Sequence, residues 1–373
     1  MVAPIDDVSL TLFSWDDIPA TTYGRHTGKF GGSSKIGLLR LHTADGFTGH
    51  AFLGSAIRSA ELDSYAVMAV LAPVVLGADP TDRERLYREL VSKGRSASLR
   101  AIGAVDVALW DLAGQIAGLP IHRLLGSYRS SIGAYASSPV HDSTNAYVAE
   151  ALHYRDTGWK AYKIHPPTEP DWDIEVCRAV RAAVGDSYPI MLDSTWAYSY
   201  PDALKVGRAV ADLGFKWFED PLADDDLYNS AKLRRQLDIP LLATEYSPGG
   251  FTAFAPWVIA EATDYLRGDV AVKGGISSLI KTAHLAEGFH MNLEIHHGGN
   301  SLNNVANLHV AMAIPNTTWF EVLLPDEAQK YGLVNDITVD TDGLVHAFDG
   351  PGLGAEIDFD LIENNTVDVI SVA

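Results

Sequence analysis

The sequence predicts an α/β fold: a (β/α)8-type barrel with an N-terminal α+β capping domain that the C-terminal tail completes. Two observations predict the barrel. Between Lys163 and Glu321, short apolar runs each close on an ionisable residue: Lys163, Asp193, Glu219, Glu245, Asp269, His296 and Glu321, which lie 30, 26, 26, 24, 27 and 25 residues apart. The intervals hold helix-like sequence, as in residues 202–213, and strand, turn, helix at that period is the pattern of a parallel barrel. A third observation predicts the cap. A barrel takes about 250 residues, so a chain of 373 residues with 47% hydrophobic content has over 100 to spare, enough for a second domain.

The elements follow in order. Residues 8–14 and 36–42 read as strands, and Asp45-Gly46 is a turn of the kind that closes a hairpin, so an antiparallel sheet opens the chain. The intervening stretch, residues 21–34, carries four glycines among Tyr23, Arg25, His26 and Lys29. It is either a mobile surface loop or a lid over a substrate, with Tyr23, Arg25 and His26 as the candidate contacts. Residues 57–77 and 82–93 are helical, and 97–125 keeps helical spacing until Gly118 and Pro120 stop it. Residues 131–136 form the first barrel strand. Beyond Glu321 the turn chemistry of residues 343–354 leads to a further extended segment near Glu356, a tail that folds back on the N-terminal sheet. The expected division is a cap of residues 1–128 joined by the tail 342–373, and a barrel of 129–341.

Charge narrows the partners. The formal net charge is −20, from 48 acidic against 28 basic residues, whereas nucleic acid and anionic membranes are held by basic patches. No apolar run approaches the roughly 18 residues of a membrane span. The lone cysteine, Cys177, forms no internal disulfide, and the opening residues lack the basic region and apolar core of a signal peptide. A soluble, cytoplasmic protein without nucleic-acid or membrane partners is expected, assembled as a homo-oligomer.

Seven titratable groups at strand ends would converge on one barrel mouth, and in that arrangement the residues resemble the enolase superfamily, within it the mandelate racemase subgroup. The likeness spans nearly the whole chain: the cap, the helix around residues 104–112, residues 119–126, and the strand ends in order. Carried over to this sequence, it implies three metal ligands, Asp193, Glu219 (in Phe218-Glu-Asp-Pro221) and Glu245. It implies an Asp/His dyad of Asp269 and His296, and a substrate-facing acid, Glu321. Two departures stand out. The usual second lysine of a Lys-x-Lys pair is replaced in Lys163-Ile-His165, and the third strand reads Asp193-Ser-Thr195 where Asp-x-Asn is common in mandelate racemase-like sequences.

The chemistry so implied is removal of the proton next to a carboxylate. That step needs electrostatic stabilisation of an enediolate dianion. Three carboxylates suit a hard cation with oxygen ligands, one Mg²⁺ per site, and no cysteine lies near a ligand position. His296 is the expected base, its tautomer set by Asp269. Lys163 faces it across the cavity, either as an ammonium that stabilises the enediolate or, deprotonated, as a base. His165 shares the face of Lys163 because strand side chains alternate, and is an acid, a base or a hydroxyl ligand. Glu321, if protonated, donates a short hydrogen bond to the substrate carboxylate. His297 is read as a packing residue or, less favoured, a substrate contact. The expected function is Mg²⁺-dependent dehydration of an acid sugar to a 2-keto-3-deoxy acid. An isomerase that shares the first half-reaction is the alternative, and a non-catalytic sugar-acid binding protein the remote one.

Overall fold

The computed structural model describes residues 3–372. Strands β1 (Ile5–Thr21), β2 (Phe30–Thr43) and β3 (Thr48–Leu53) form an antiparallel sheet. The Asp45-Gly46 turn closes β2 on β3, with Thr43 N–H donating to Phe47 O at 3.0 Å. Two strands outrun their sequence-predicted limits. Asp16, Asp17 and Pro19 interrupt the apolar pattern of β1, but irregularities in the ladder between Trp15 and Ile18 and between Ile18 and Thr21 absorb them, with pairing kept at Ile18 and Thr21. The glycines that read as loop, Gly31 and Gly32, belong to β2. The connection between the two strands therefore shrinks to residues 22–29.

A helical run follows from Glu61 to Val75 with a π-helical segment at Ala66–Leu71, then helices Arg83–Ser92 and Leu99–Ala117. Ser98 caps the last of these, accepting from Ala101 N–H at 3.1 Å. This helix packs on the cap sheet and also fastens the cap to the barrel. Asp106 accepts from Ser277 N–H (2.9 Å) and Oγ–H (2.6 Å), and Trp110 Nε1 donates to the same hydroxyl. The approach requires Gly275, where a Cβ would lie 2.3 Å from Asp106 Oδ2.

Eight parallel strands make the barrel: β4 (Ser131–Ser137), β5 (Ala161–Ile164), β6 (Ile190–Asp193), β7 (Phe218–Glu219), β8 (Leu241–Ala243), β9 (Tyr265–Gly268), β10 (Leu293–Ile295) and β11 (Phe320–Leu323). Ladders run from β11 through β4 to β10, and Leu293 N–H donates to Asn316 O at 2.9 Å across the remaining seam. An α-helix follows each of β4 to β10, whereas β11 leads into a 3-10 turn, Asp326–Ala328. Alternation divides the side chains: Tyr162, Ile190, Leu192 and Phe218 pack outward on the helices, while Tyr135, Ala161, Met191, Trp217 and Leu242 fill the lower interior.

The tail divides between the two bodies, which corrects the expectation that all of 342–373 returns to the cap. Strand β12 (Leu344–His346) pairs antiparallel with barrel strand β4, and only β13 (Thr366–Val372) joins the cap sheet, beside β1. No helix among the described residues is long and apolar enough to cross a membrane.

At the cap–barrel junction the buried rings of His122 and His309 stack with centroids 5.4 Å apart. His309 Nε2–H donates to Leu353 O at 2.9 Å and Nδ1 accepts from His122 N–H at 3.2 Å, so the neutral ring is fully satisfied and has no room for a second proton. Burial lowers its pKa from 6.5 to about 4. Between those values the unfolded histidine binds a proton that the folded one refuses. Stability is therefore fully present above pH 6.5 and is lost as pH falls towards 4, by roughly 3 kcal/mol for this group. Chemical denaturation of wild type and His309→Gln across that window checks it: the variant should lose less stability on acidification, and parallel losses would sink the assignment.

Candidate active site

The residues that the sequence places at strand ends do converge, in a cavity of about 110 Å³ between the barrel mouth and the cap. Alternation along β5, β6, β7 and β9 turns Lys163, Asp193, Glu219 and Asp269 inward above the packed interior. Glu245 breaks that rule, because alternation from Leu242 would turn Thr244 inward. Thr244 takes φ +89°, a left-handed conformation rare for a β-branched residue, and its hydroxyl is fixed by Arg267 N–H at 2.9 Å. The local twist delivers Glu245 to the site instead.

Oxygens of Asp193, Glu219 and Glu245 all lie within 4.8 Å of one another, and all three side chains are buried. Lys163 Nζ donates to Asp193 at 2.8 Å and Glu219 at 3.1 Å, and pairs with Glu321 at 2.8 Å. Arg267 supplies the second buried cation. Its Nη2 donates to Glu321 at 2.6 Å, and its Nε lies 2.7 Å from Glu219 as an ion pair whose N–H is not aimed at the oxygen. Four carboxylates thus face two buried cations. The imbalance shows in their ionisation. Burial opposes charge on every one, yet Lys163 and the ring of His165 hold Asp193 below the usual carboxylate range, and Arg267 with Lys163 holds Glu321 well below it. Burial leaves Glu245 well above the range, with Arg267 no nearer than 3.6 Å. Negative charge in excess of its counter-charge, on three converging oxygens, is what a hard divalent cation neutralises, so the donor set fits Mg²⁺.

The dyad is formed. His296 Nδ1 lies 2.5 Å from Asp269 Oδ2, while Asp269 Oδ1 accepts from Ala271 N–H (2.6 Å) and Val272 N–H (2.9 Å). Burial resists ionisation of Asp269, but the bond from His296 and these amides outweigh it and hold its pKa below normal. With Nδ1 committed to the carboxylate, Nε2 faces the cavity, 3.0 Å from Glu245. On the other flank of the triad, His165 Nδ1–H donates to Ser138 O at 2.7 Å and Nε2 lies 3.0 Å from Asp193. Two imidazoles therefore bracket the three acids.

Three expectations change. Glu321 is not a proton donor: its oxygens accept from Lys163, Arg267 and, at 2.9 Å, His297 N–H, so it is held as a carboxylate. Tyr23 lines the cavity, but its hydroxyl is spent, donating to Leu324 O and accepting from Gln329 Nε2, each at 2.6 Å. It offers a ring surface 5.3 Å from His165. Arg25 and His26 are exposed and do not line the cavity. Arg25 donates to Ala197 O at 2.9 Å and His26 stacks on Trp196, so both clasp the 22–29 loop to the loop after β6. Gly24 makes the clasp possible, since a Cβ there would fall 2.0 Å from Thr195 Oγ1. His297 is buried and also lines the cavity, and its Nε2 lies 2.7 Å from Asn304 Nδ2, which leaves both its readings open.

Several lining residues are absent from the sequence reading, among them Ser55, Arg58, Arg100 and Tyr246. Arg267 had a readable signal, two residues before Asp269 on one strand. The cap residues had none, since nothing in their spacing ties them to the barrel mouth.

Fold and site together define a parallel barrel with a buried carboxylate triad beside a His–Asp dyad, and comparison with known proteins places it. The family model described as "Enolase C-terminal domain-like" matches residues 146–361, and that of the "Mandelate racemase / muconate lactonizing enzyme, N-terminal domain" matches residues 29–126. The chain belongs to the enolase superfamily, mandelate racemase subgroup. It is 29% identical to arabinonate dehydratase of Saccharolobus solfataricus, over 87% of this chain and 88% of that one. It is 30% identical to D-galactarolactone cycloisomerase of Agrobacterium fabrum, over 80% and 83%. The crystal structure of D-glucarate dehydratase from Agrobacterium tumefaciens, complexed with magnesium, aligns over 99% of this chain and 100% of that one, with TM-score 0.88 and 35% identity.

Proposed function

We propose that this protein removes the proton α to the carboxylate of an acid sugar and expels the β-hydroxyl, giving a 2-keto-3-deoxy acid. The observation that carries the reading is the juxtaposition of the buried Asp193/Glu219/Glu245 triad with the His296–Asp269 dyad in one cavity. The triad would hold one Mg²⁺. When bound there, the cation supplies positive charge to the substrate carboxylate as the enediolate develops.

The chain's own groups do the rest. His296 Nε2 takes the α-proton, while Asp269 keeps Nδ1 protonated and supports the imidazolium. The C–O bond at the β-carbon then breaks, and the imidazolium returns its proton to the departing hydroxyl, so that water leaves and the enol becomes the 2-keto acid. Lys163 and Arg267 stay cationic among the carboxylates and stabilise the added negative charge. Tyr23 and the clasped 22–29 loop keep bulk water from the cavity.

Assaying the Mg²⁺-loaded protein against a library of aldonates and aldarates for 2-keto acid formation tests the reading. Formation from at least one compound is expected, and silence across the library would overturn it. His165 favours a second reading, an isomerase, because an imidazole on the opposite flank could deliver a proton to the other face. Product with exchanged α-hydrogen and no loss of water would select it.

Cytoplasmic location and homo-oligomeric assembly complete the proposal. The single buried thiol, Cys177, suits a reducing compartment, and the exposed apolar Leu62, Tyr65, Val367 and Val369 offer surface for self-association.

A further inference from the structure

One cation on the cavity wall is paired with no carboxylate. Arg100, in the first turn of helix Leu99–Ala117, is half-buried and lines the cavity. Its one hydrogen-bond partner among the described residues is a neutral phenol, Tyr246 OH, at 3.2 Å, and it forms no ion pair. The nearby acid of the cap is already engaged. Asp63 binds Arg58 through both oxygens, at 3.1 and 3.3 Å, and accepts from Ser98 Oγ–H at 2.7 Å. Arg58, also on the cavity wall, is thereby neutralised, and Arg100 is not.

Its position relative to the chemistry is set by Tyr246, which follows the ligand Glu245 directly. The Tyr246 ring lies 6.2 Å from that of His296, and the Arg100 guanidinium carbon lies 5.8 Å from the same phenol ring. Arg100 therefore stands one aromatic ring beyond the dyad, on the cap side of the cavity, away from the carboxylates that receive the reacting end of the substrate. A half-buried guanidinium that faces the cavity and is hydrogen-bonded to none of its carboxylates is a site for a planar anion, which it binds through two parallel N–H donors.

We infer that Arg100 receives the distal carboxylate of a dicarboxylic acid sugar, so that the substrate class is the aldarates rather than the aldonates. The inference rests on the acid-sugar reading and narrows it. Arg100 is a specificity residue: it touches the far end of the substrate and takes no part in proton transfer.

The test is calorimetric titration of the Mg²⁺-loaded His296→Asn protein, in which turnover does not consume the probe. Galactarate and glucarate are compared with their matched monoacids, galactonate and gluconate. At least one diacid should bind more tightly than its monoacid by on the order of ten- to a hundred-fold, the range of a charge-assisted hydrogen-bonded pair. Arg100→Gln in the same background should reduce the diacid to the affinity of its monoacid and leave the monoacid unchanged, while Arg100→Lys restores part of the difference. A monoacid that binds as tightly as its diacid, equal weakening of both by Arg100→Gln, or no diacid binding at all would overturn the inference. Failure of the dehydratase reading looks different. Diacid preference would persist while the wild-type enzyme formed no 2-keto acid, whereas dehydration of aldonates alone would overturn this inference and leave the reaction standing.

Discussion

His296→Asn is expected to abolish turnover while leaving fold and Mg²⁺ binding intact. Asparagine keeps a polar side chain of similar reach beside Asp269 but has no lone pair basic enough to take the α-proton. Losing a general base costs roughly 10²–10⁴-fold, and more when the same group returns the proton to the leaving hydroxyl. Asp269→Asn should be damaging but less complete. It leaves the imidazole in place, yet the carboxylate now 2.5 Å from Nδ1 no longer fixes the tautomer or supports the imidazolium. The decisive measurement is exchange of the substrate α-hydrogen in D2O. Exchange at the wild-type rate in His296→Asn would mean that the proton leaves from the other face, where His165 stands 3.0 Å from Asp193. The mechanism would then be rebuilt around that imidazole.

The barrel was legible because its signal is local. A buried parallel strand must be apolar, and its inward end at the mouth is where an ionisable group is both tolerated and useful, so Lys163, Asp193, Glu219, Asp269, His296 and Glu321 stand out at a near-constant period. Glu245 was found from that period, but the backbone that presents it, Thr244 at φ +89°, was not, since a strained conformation at a threonine leaves no mark in composition. Ionisation was harder still. That Glu321 is a carboxylate depends on Arg267 and Lys163 lying within 2.8 Å of it, contacts across 54 and 158 positions of sequence. The lid shows the same limit. A polar, glycine-rich connection reads as a mobile surface loop or a lid, and which side chains face inward is not legible either. Tyr23 turns in to reach Leu324 O and Gln329, while Arg25 and His26 turn out to the loop after β6.

Lys163→Met should have the other large effect, and it separates the two roles open to Lys163. The ammonium is fully buried and touches Asp193, Glu219 and Glu321 within 3.1 Å. Burial alone would favour a neutral amine, but the three carboxylates outweigh it and hold the pKa well above the ordinary lysine value, so in the metal-free site Lys163 is a positive charge. Methionine matches its bulk without the charge. In metal-free protein at neutral pH the variant leaves four carboxylates facing Arg267 alone, and removing one partner from a buried ion pair costs roughly 3–5 kcal/mol. Carboxyl groups with raised folded pKa values are stable in the protonated form. The deficit should therefore shrink as pH is lowered and grow as pH rises to neutrality. Mg²⁺ should recover more stability in the variant than in wild type, because it supplies charge that the wild-type site already has in part, and a cation bound only by the folded state stabilises by mass action. Turnover should still be lost, since the enediolate forms without the ammonium. Thermal melts of both proteins against pH and Mg²⁺ concentration check this: a metal-free variant as stable as wild type at neutral pH, with the same response to Mg²⁺, would show that the ammonium does not balance the acids. Wild-type exchange of the α-hydrogen in Lys163→Met would show that it does not stabilise the enediolate either.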